Sequence, residues 1–265
     1  MTMKFKHGQT NYETWKATRP LNRVTIAKLE KLEPILEKQR RGETLTDFDY
    51  AVLVSLINVS VLHDKLENFC SVSTDPLLSR ICQARARIPG SICAACYAAA
   101  RAAAYNGLEQ ALYINHLIMN AFLIPAEAWR LLPVPVVNGH SRFQSHGDCD
   151  GVICAQNFIR IAESHSFIKF GAWSKNLNYW RIAFREEGKP GNLSFVFSSS
   201  MLNEKEEIPE DMKQFIDYRF TVYTPDYIQE NDVQINCGGL SCEACGCTCY
   251  EPGRGDFDRS ERLKR

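Results

Sequence analysis

Apolar positions recur every three or four residues over Ile26-Ala-Lys-Leu-Glu-Lys-Leu-Glu-Pro-Ile-Leu-Glu-Lys, which predicts an amphipathic helix capped by Asn22 or Thr25. Pro34 either kinks that helix or opens a second one in its first turn. Thr46-Asp-Phe-Asp starts another helix through Ala51–Leu66, apolar on most faces and therefore buried. From Phe69 the period changes. Phe69-Cys-Ser-Val-Ser-Thr reads as a strand, and a loop carrying Cys82, Pro89-Gly90, Cys93 and Cys96 follows it. Helices are predicted over Tyr97–Asn106, Leu108–Phe122, Ile153–Ser164, Leu177–Glu187 and Pro209–Tyr218. The strands between and after them are Ser141–Ser145, Phe167–Trp173, Leu193–Ser198, Phe220–Tyr223 and Val233–Asn236.

Short strands alternating with helices predict parallel strands joined by crossover helices. The expected fold is α/β, a partial (βα) barrel behind a helical N-terminal segment. Three regions follow: 1–68 helical, 69–250 barrel with the cysteine clusters, and 251–265 a charged flexible tail. Each expected strand ends in polar residues: Ser71-Val-Ser73-Thr, Ser145-His-Gly147-Asp148, Trp173-Ser174-Lys175-Asn, and Ser198-Ser-Ser. The carboxyl ends of parallel strands form the ligand face of such folds. Ser73, Gly147, Asp148, Ser174 and Ser198 are therefore candidate ligand-binding residues, and both cysteine groups are expected on that face.

The 31 basic and 31 acidic side chains of the 265 residues cancel, so charge alone does not indicate nucleic-acid binding. No apolar run reaches membrane-spanning length, since Ser55, Asn58 and Ser60 break the longest, and the N-terminus has no apolar leader core. The expectation is a soluble protein in the cytoplasm, without a membrane partner. Eleven cysteines, an odd number, then point in a reducing compartment to metal rather than to disulfides.

Cys93-Ala-Ala-Cys96 sits at a loop-to-helix junction, where a helix N-terminus favours thiolates, and Cys82 can complete a three-thiolate set. Three protein ligands on a [4Fe–4S] cluster leave one iron open. A redox dithiol and a zinc knuckle share the spacing. Downstream, Cys237, Cys242, Cys245, Cys247 and Cys249 offer five thiolates on a glycine-interrupted loop, enough for zinc or for a cluster. That loop either holds its own site or supplies ligands to the first. Asp148 either caps the next helix or meets a ligand amine or hydroxyl as a base, and Lys175 is placed to meet an anion.

Cys93-Ala-Ala-Cys96-Tyr97-Ala98, after the strand end Ser73-Thr74-Asp75-Pro76, resembles the entry motif of the phage gene product 88 family, and a similar Cys-x-x-Cys-Tyr-Ala occurs in phage proteins of radical-SAM-like type. Ser145-His146-Gly147-Asp148, Ala172-Trp173-Ser174-Lys175 and the terminal Cys-Gly-Gly…Cys-x-x-Cys are similar to later motifs of the first family. The resemblance runs from Phe69 to Tyr250. It implies a partial barrel with cluster-binding cysteines, a phage- or prophage-encoded chain in a bacterial host, and S-adenosylmethionine as a candidate co-ligand. One departure stands out: ten residues separate Cys82 from Cys93, and Ala95 replaces the aromatic of the radical S-adenosylmethionine signature Cys-x-x-x-Cys-x-aromatic-Cys. Two functions remain: an iron–sulfur enzyme acting on a small molecule or nucleotide, or a non-catalytic accessory protein whose metal is structural and whose surface binds a protein partner.

Overall fold

The computed structural model describes residues 21–62, 66–135, 139–237, 241–253 and 258–263. The N-terminal residues, on which the expected lack of a leader rests, lie outside them, as does Gly238–Leu240 of the cysteine loop.

Helix α1, Arg23–Arg40, starts where Asn22 accepts the Thr25 N–H at 2.8 Å and runs through Pro34 without ending. Helix α2, Asp47–Leu56, opens with a reciprocal cap. Asp49 N–H donates to Thr46 Oγ1, and Thr46 N–H donates to Asp49 Oδ2. Lys38 of α1 binds the same carboxylate at 2.8 Å and, with the Thr46 bonds, holds the Asp49 pKa down at about 2. The predicted extension to Leu66 fails at Leu56. Asn58 leaves the helix to bond Asn115, and Val59–Val61 becomes strand β1, as suits β-branched residues.

Seven strands form one sheet in sequential order: β1, then β2 (Cys70–Val72), β3 (His140–Phe143), β4 (Lys169–Ser174), β5 (Leu193–Ser198), β6 (Tyr218–Tyr223) and β7 (Asp258–Arg262). β1 is antiparallel to β2, and every later pairing is parallel. Between β2 and β3 come α3 (Arg80–Ala86), a 3₁₀ turn (Ile92–Ala95), α4 (Tyr97–Ala104), α5 (Asn106–Ala121) and α6 (Ala126–Trp129). Helix α7 (Val152–Ser164) precedes β4, and α8 (Leu177–Glu187) precedes β5. Because strand order never reverses, right-handed crossovers carry successive helices to the same face of the sheet, as in a partial barrel.

That face is the core. Val72, Phe143, Phe170, Ala172, Phe195 and Phe197 meet Ile114 and Ile118 of α5, Phe158 of α7 and Trp180 of α8. Phe143 stacks on Phe170 at 4.6 Å. Leu32, Leu53 and Val54 belong to the same cluster, so the N-terminal helices share the core of the barrel. The other face is closed by Tyr250, packed with Phe69 and Leu62. Gly171 makes this approach close: a Cβ there would lie 2.8 Å from Tyr250 Cδ1.

Four expectations need correction. Cys82 lies within α3 rather than in a loop, because Ser79 caps that helix by accepting the Cys82 N–H. Pro209–Tyr218 gives only the 3₁₀ turn Glu210–Met212 before β6 begins. Val233–Asn236 is not a strand, and the unpredicted helix α9, Pro225–Asn231, precedes it, capped by Thr224 with Pro225 in its first turn. Part of the expected charged tail is strand β7, held by Arg219 on Asp258 at 2.7 Å; a charged sequence suits a sheet edge.

Candidate functional site

The carboxyl ends of β2 and β3 are locked by hydroxyls. Ser71, Ser73 and Ser145 close a buried triangle with Oγ–Oγ distances of 2.8, 3.0 and 2.9 Å. Ser73, a candidate ligand-binding residue, is thus engaged within the protein. Gly147 adopts φ +75°, and a Cβ on it would sit 2.5 Å from the Thr74 carbonyl oxygen, so only glycine lets the two strand ends approach this closely.

Asp148 does not cap α7, whose N-cap residue is Gly151. Its carboxylate turns instead to the end of β4. Oδ1 accepts from Ser174 Oγ at 2.7 Å and from Cys149 N–H at 2.8 Å, while Oδ2 accepts from Lys175 N–H at 2.9 Å. Lys175 Nζ reaches across to Ser198 Oγ at 3.1 Å, and Arg85 of α3 donates to the Lys175 carbonyl. Gly147, Asp148, Ser174, Lys175 and Ser198 therefore stand together over β3–β5. An amide in place of the carboxylate leaves at least one of the two backbone N–H groups facing an NH2. Asp148→Asn is expected to lower stability by about 1–3 kcal/mol in urea denaturation, and an unchanged midpoint would show that the carboxylate does not pin the strand ends.

The thiols close over this edge. The 3₁₀ turn is anchored to the end of β5, with Ile92 N–H donating to the Ser200 carbonyl at 2.9 Å and Ser91 Oγ accepting from Cys93 N–H. Cys96 then starts α4. Burial pushes its thiol pKa up, opposed by the first-turn amides of Ala98 and Ala99 and by the Lys175 ammonium. Burial pushes Cys82 well up, reinforced by the Asp148 carboxylate and then by Cys96 and Cys93. Cys82 thus lies within electrostatic reach of Asp148, Cys96 and Cys93, and Cys96 within reach of Cys93 and Lys175.

The downstream cysteines lie elsewhere. Cys247 N–H closes a tight turn onto the Cys242 carbonyl at 2.9 Å, and Cys237 N–H bonds Ser260 of β7. The turn Thr248–Glu251 rests at the amino ends of the strands: Tyr218 Oη donates to the Thr248 and Glu251 carbonyls, and Lys169 pairs with Glu251. Burial raises the Cys249 pKa, opposed by Arg259. The expectation that both cysteine groups share the ligand face is therefore overturned. The segment before Cys237 is no strand, and the buried Tyr250 ring draws the loop beneath the sheet.

None of the eleven cysteines is in a disulfide. Among the described residues no three His, Cys, Asp or Glu side chains stand close enough, as placed, to hold a metal ion. In donor chemistry, thiols suit a cluster or zinc, since a bound cation would draw off the protons that burial keeps on Cys82 and Cys96. Sequence reasoning passed over Arg85 and the ring of His146. That ring is buried beside Tyr97, Nδ1 lies 3.2 Å from Ser145 Oγ, and Nε2 has no hydrogen-bond partner.

Fold and site together define an α/β protein with a sequentially wound, mostly parallel sheet and a cysteine-bearing cap over its strand ends. The chain belongs to the gene product 88 family, whose model matches residues 36–247. Neither the comparison with curated proteins nor that with solved structures gives a match. No helix among the described residues is long and apolar enough to cross a membrane.

Proposed function

We propose that this chain is a phage- or prophage-encoded iron–sulfur protein of radical-SAM-like type, holding a [4Fe–4S] cluster through Cys82, Cys93 and Cys96 and taking a small molecule or nucleotide at the same strand ends. What supports this reading is the placement of Cys82 on α3, Cys93 in the 3₁₀ turn anchored to the Ser200 carbonyl and Cys96 at the start of α4, beside the strand ends where Asp148 accepts from Lys175 N–H. Bound there, such a cluster supplies an iron open to ligand and to one-electron transfer. Lys175, tethered to Ser198, offers its ammonium to an anionic group, such as the carboxylate of S-adenosylmethionine. Asp148 holds Lys175 in place through the backbone rather than acting as a free base. Cys237, Cys242, Cys245 and Cys247 form a second candidate ligand set, apart from the first.

Anaerobic purification with iron, sulfide and zinc analysis tests the reading. The wild type is expected to carry about four irons and four sulfides per chain at the first site. Cys93→Ser and Cys96→Ser are each expected to lose that iron. Reduced protein incubated with S-adenosylmethionine is expected to release 5′-deoxyadenosine and methionine. Colourless protein with stoichiometric zinc would favour instead an accessory protein with a structural metal. That second reading is supported by the full engagement of both Asp148 oxygens, which leaves that carboxylate no free oxygen to act as a base.

A further inference from the structure

Phe143, Ala172 and Phe195 pair in one row across β3–β5 and pack on the helices. By alternation Arg142 and Trp173 turn the other way, to the inner face of the partial barrel. Arg142 is half-buried there, with its guanidinium carbon over the Trp173 ring at 4.2 Å from the centroid. The ring holds the cation in place but supplies neither a counter-charge nor a strong hydrogen-bond acceptor. Nε of Arg142 is buried without a hydrogen-bond partner, and among the described residues no carboxylate pairs with this guanidinium. Half-buried arginines of the outer surface are paired: Arg160 with Glu187, Arg181 with Asp211, and Arg219 with Asp258. Arg142 is not.

The acidic residues at the strand ends serve other groups. Asp148 accepts from Ser174, Cys149 and Lys175, and Glu206 accepts from Ser200. Glu261 of β7 shares the inner face by register, but it lies four strands away and is itself partnered. A second donor lacks an acceptor on the same strand's continuation. The His146 ring is 9% exposed, and its Nε2 has no hydrogen-bond partner. Burial first, then the Arg142 guanidinium, keep that ring neutral, so the two groups lie within electrostatic reach of each other. Leaving a desolvated cation and a buried ring nitrogen both without acceptors costs stability, and an anion placed between them would offset that cost.

We propose that the small ligand of the strand-end site carries an oxyanion, a carboxylate or a phosphate, which enters the barrel and binds Arg142 beside Nε2 of His146. The planar fork of a guanidinium meets either oxyanion with two parallel N–H bonds, and the Trp173 ring holds the fork ready. Lys175, tethered to Ser198, is left for a second polar group of the same ligand. The proposal rests on the reading of the strand ends as a ligand site and names the chemical class of that ligand. Anion binding at Arg142 does not require iron.

Tryptophan fluorescence of the full chain tests it, because Trp173 lies against the guanidinium. The chain is titrated at neutral pH with inorganic phosphate and with acetate, each against chloride at constant ionic strength, in iron-loaded and iron-free samples. At least one of the two anions is expected to saturate the signal, with Kd on the order of 1 mM. Tighter phosphate assigns a phosphorylated ligand, and tighter acetate a carboxylate. Arg142→Gln is expected to weaken binding about tenfold or more, the loss of a charge-assisted hydrogen bond. Arg142→Lys keeps the charge but not the fork, and is expected to weaken it about threefold or more. Arg185→Gln, which breaks an exposed pair with Asp211, is the control and leaves binding unchanged. No saturable binding of either anion by the wild type would overturn the proposal, as would an Arg142 variant that is folded by circular dichroism and binds as the wild type does. Arg142-dependent binding in iron-free protein upholds it even where the iron–sulfur reading fails. Iron-loaded protein that binds neither anion overturns it and leaves that reading standing.

Discussion

Tyr250→Ala is expected to destabilise the protein by about 3–5 kcal/mol, the range for truncating a buried aromatic ring. The ring is 1% exposed and packs against Phe69 at 5.0 Å, Trp173 at 5.4 Å and His140 at 5.6 Å. Gly171 has no side chain to fill the space left behind, so the cavity stays open. Tyr250 also carries the loop of downstream cysteines, which without the ring is held by Tyr218, Lys169 and the Cys237–Ser260 hydrogen bond. The hydroxyl behaves differently. It is buried with no hydrogen-bond partner, and burial pushes its pKa far above the ordinary tyrosine value. Tyr250→Phe removes an unsatisfied polar group and is expected to match or exceed wild-type stability. Urea denaturation of the two variants makes the comparison. A loss under about 1 kcal/mol for Tyr250→Ala would mean that the ring is no part of the core.

The second large effect is acid lability. Burial holds His116 and His146 neutral, each with its pKa lowered from 6.5 to about 4. For His116 the Asp150 carboxylate opposes the shift and Arg80 adds to it; for His146 the guanidinium groups of Arg142 and Arg101 add to it. Both rings leave one nitrogen without a partner, Nδ1 of His116 and Nε2 of His146. Depressed histidine pKa values mean that the unfolded chain binds protons the folded chain does not. The stability they contribute is complete above pH 6.5 and is lost as pH falls toward 4. From pH 7.5 to 5.5 the expected loss is about 2–3 kcal/mol for the pair, and roughly half remains in either His116→Gln or His146→Gln. The Asp49 carboxylate, with its pKa near 2, titrates below this window and does not mask the effect. Flat stability across the window in the wild type would sink the assignment.

What the chain settles by itself is whatever depends on neighbours along it. The helix Leu177–Glu187 and the strand Leu193–Ser198 were legible to the residue, because a strong local period and a cap or turn define their ends. The parallel class followed from their alternation, and the polar strand ends foretold where Asp148, Ser174, Lys175 and Ser198 would meet. Local pattern failed where a distant partner decided. Asn58 broke the second helix because Asn115 of α5 receives it, and Asp258–Arg262 became a strand because the β6 edge was open to it. The same held for the cysteines. Their spacing defined two groups, but only packing could place one over the carboxyl ends of the strands and the other beneath the sheet with Tyr250, since a thiol carries no signal of which end of a barrel its loop will reach.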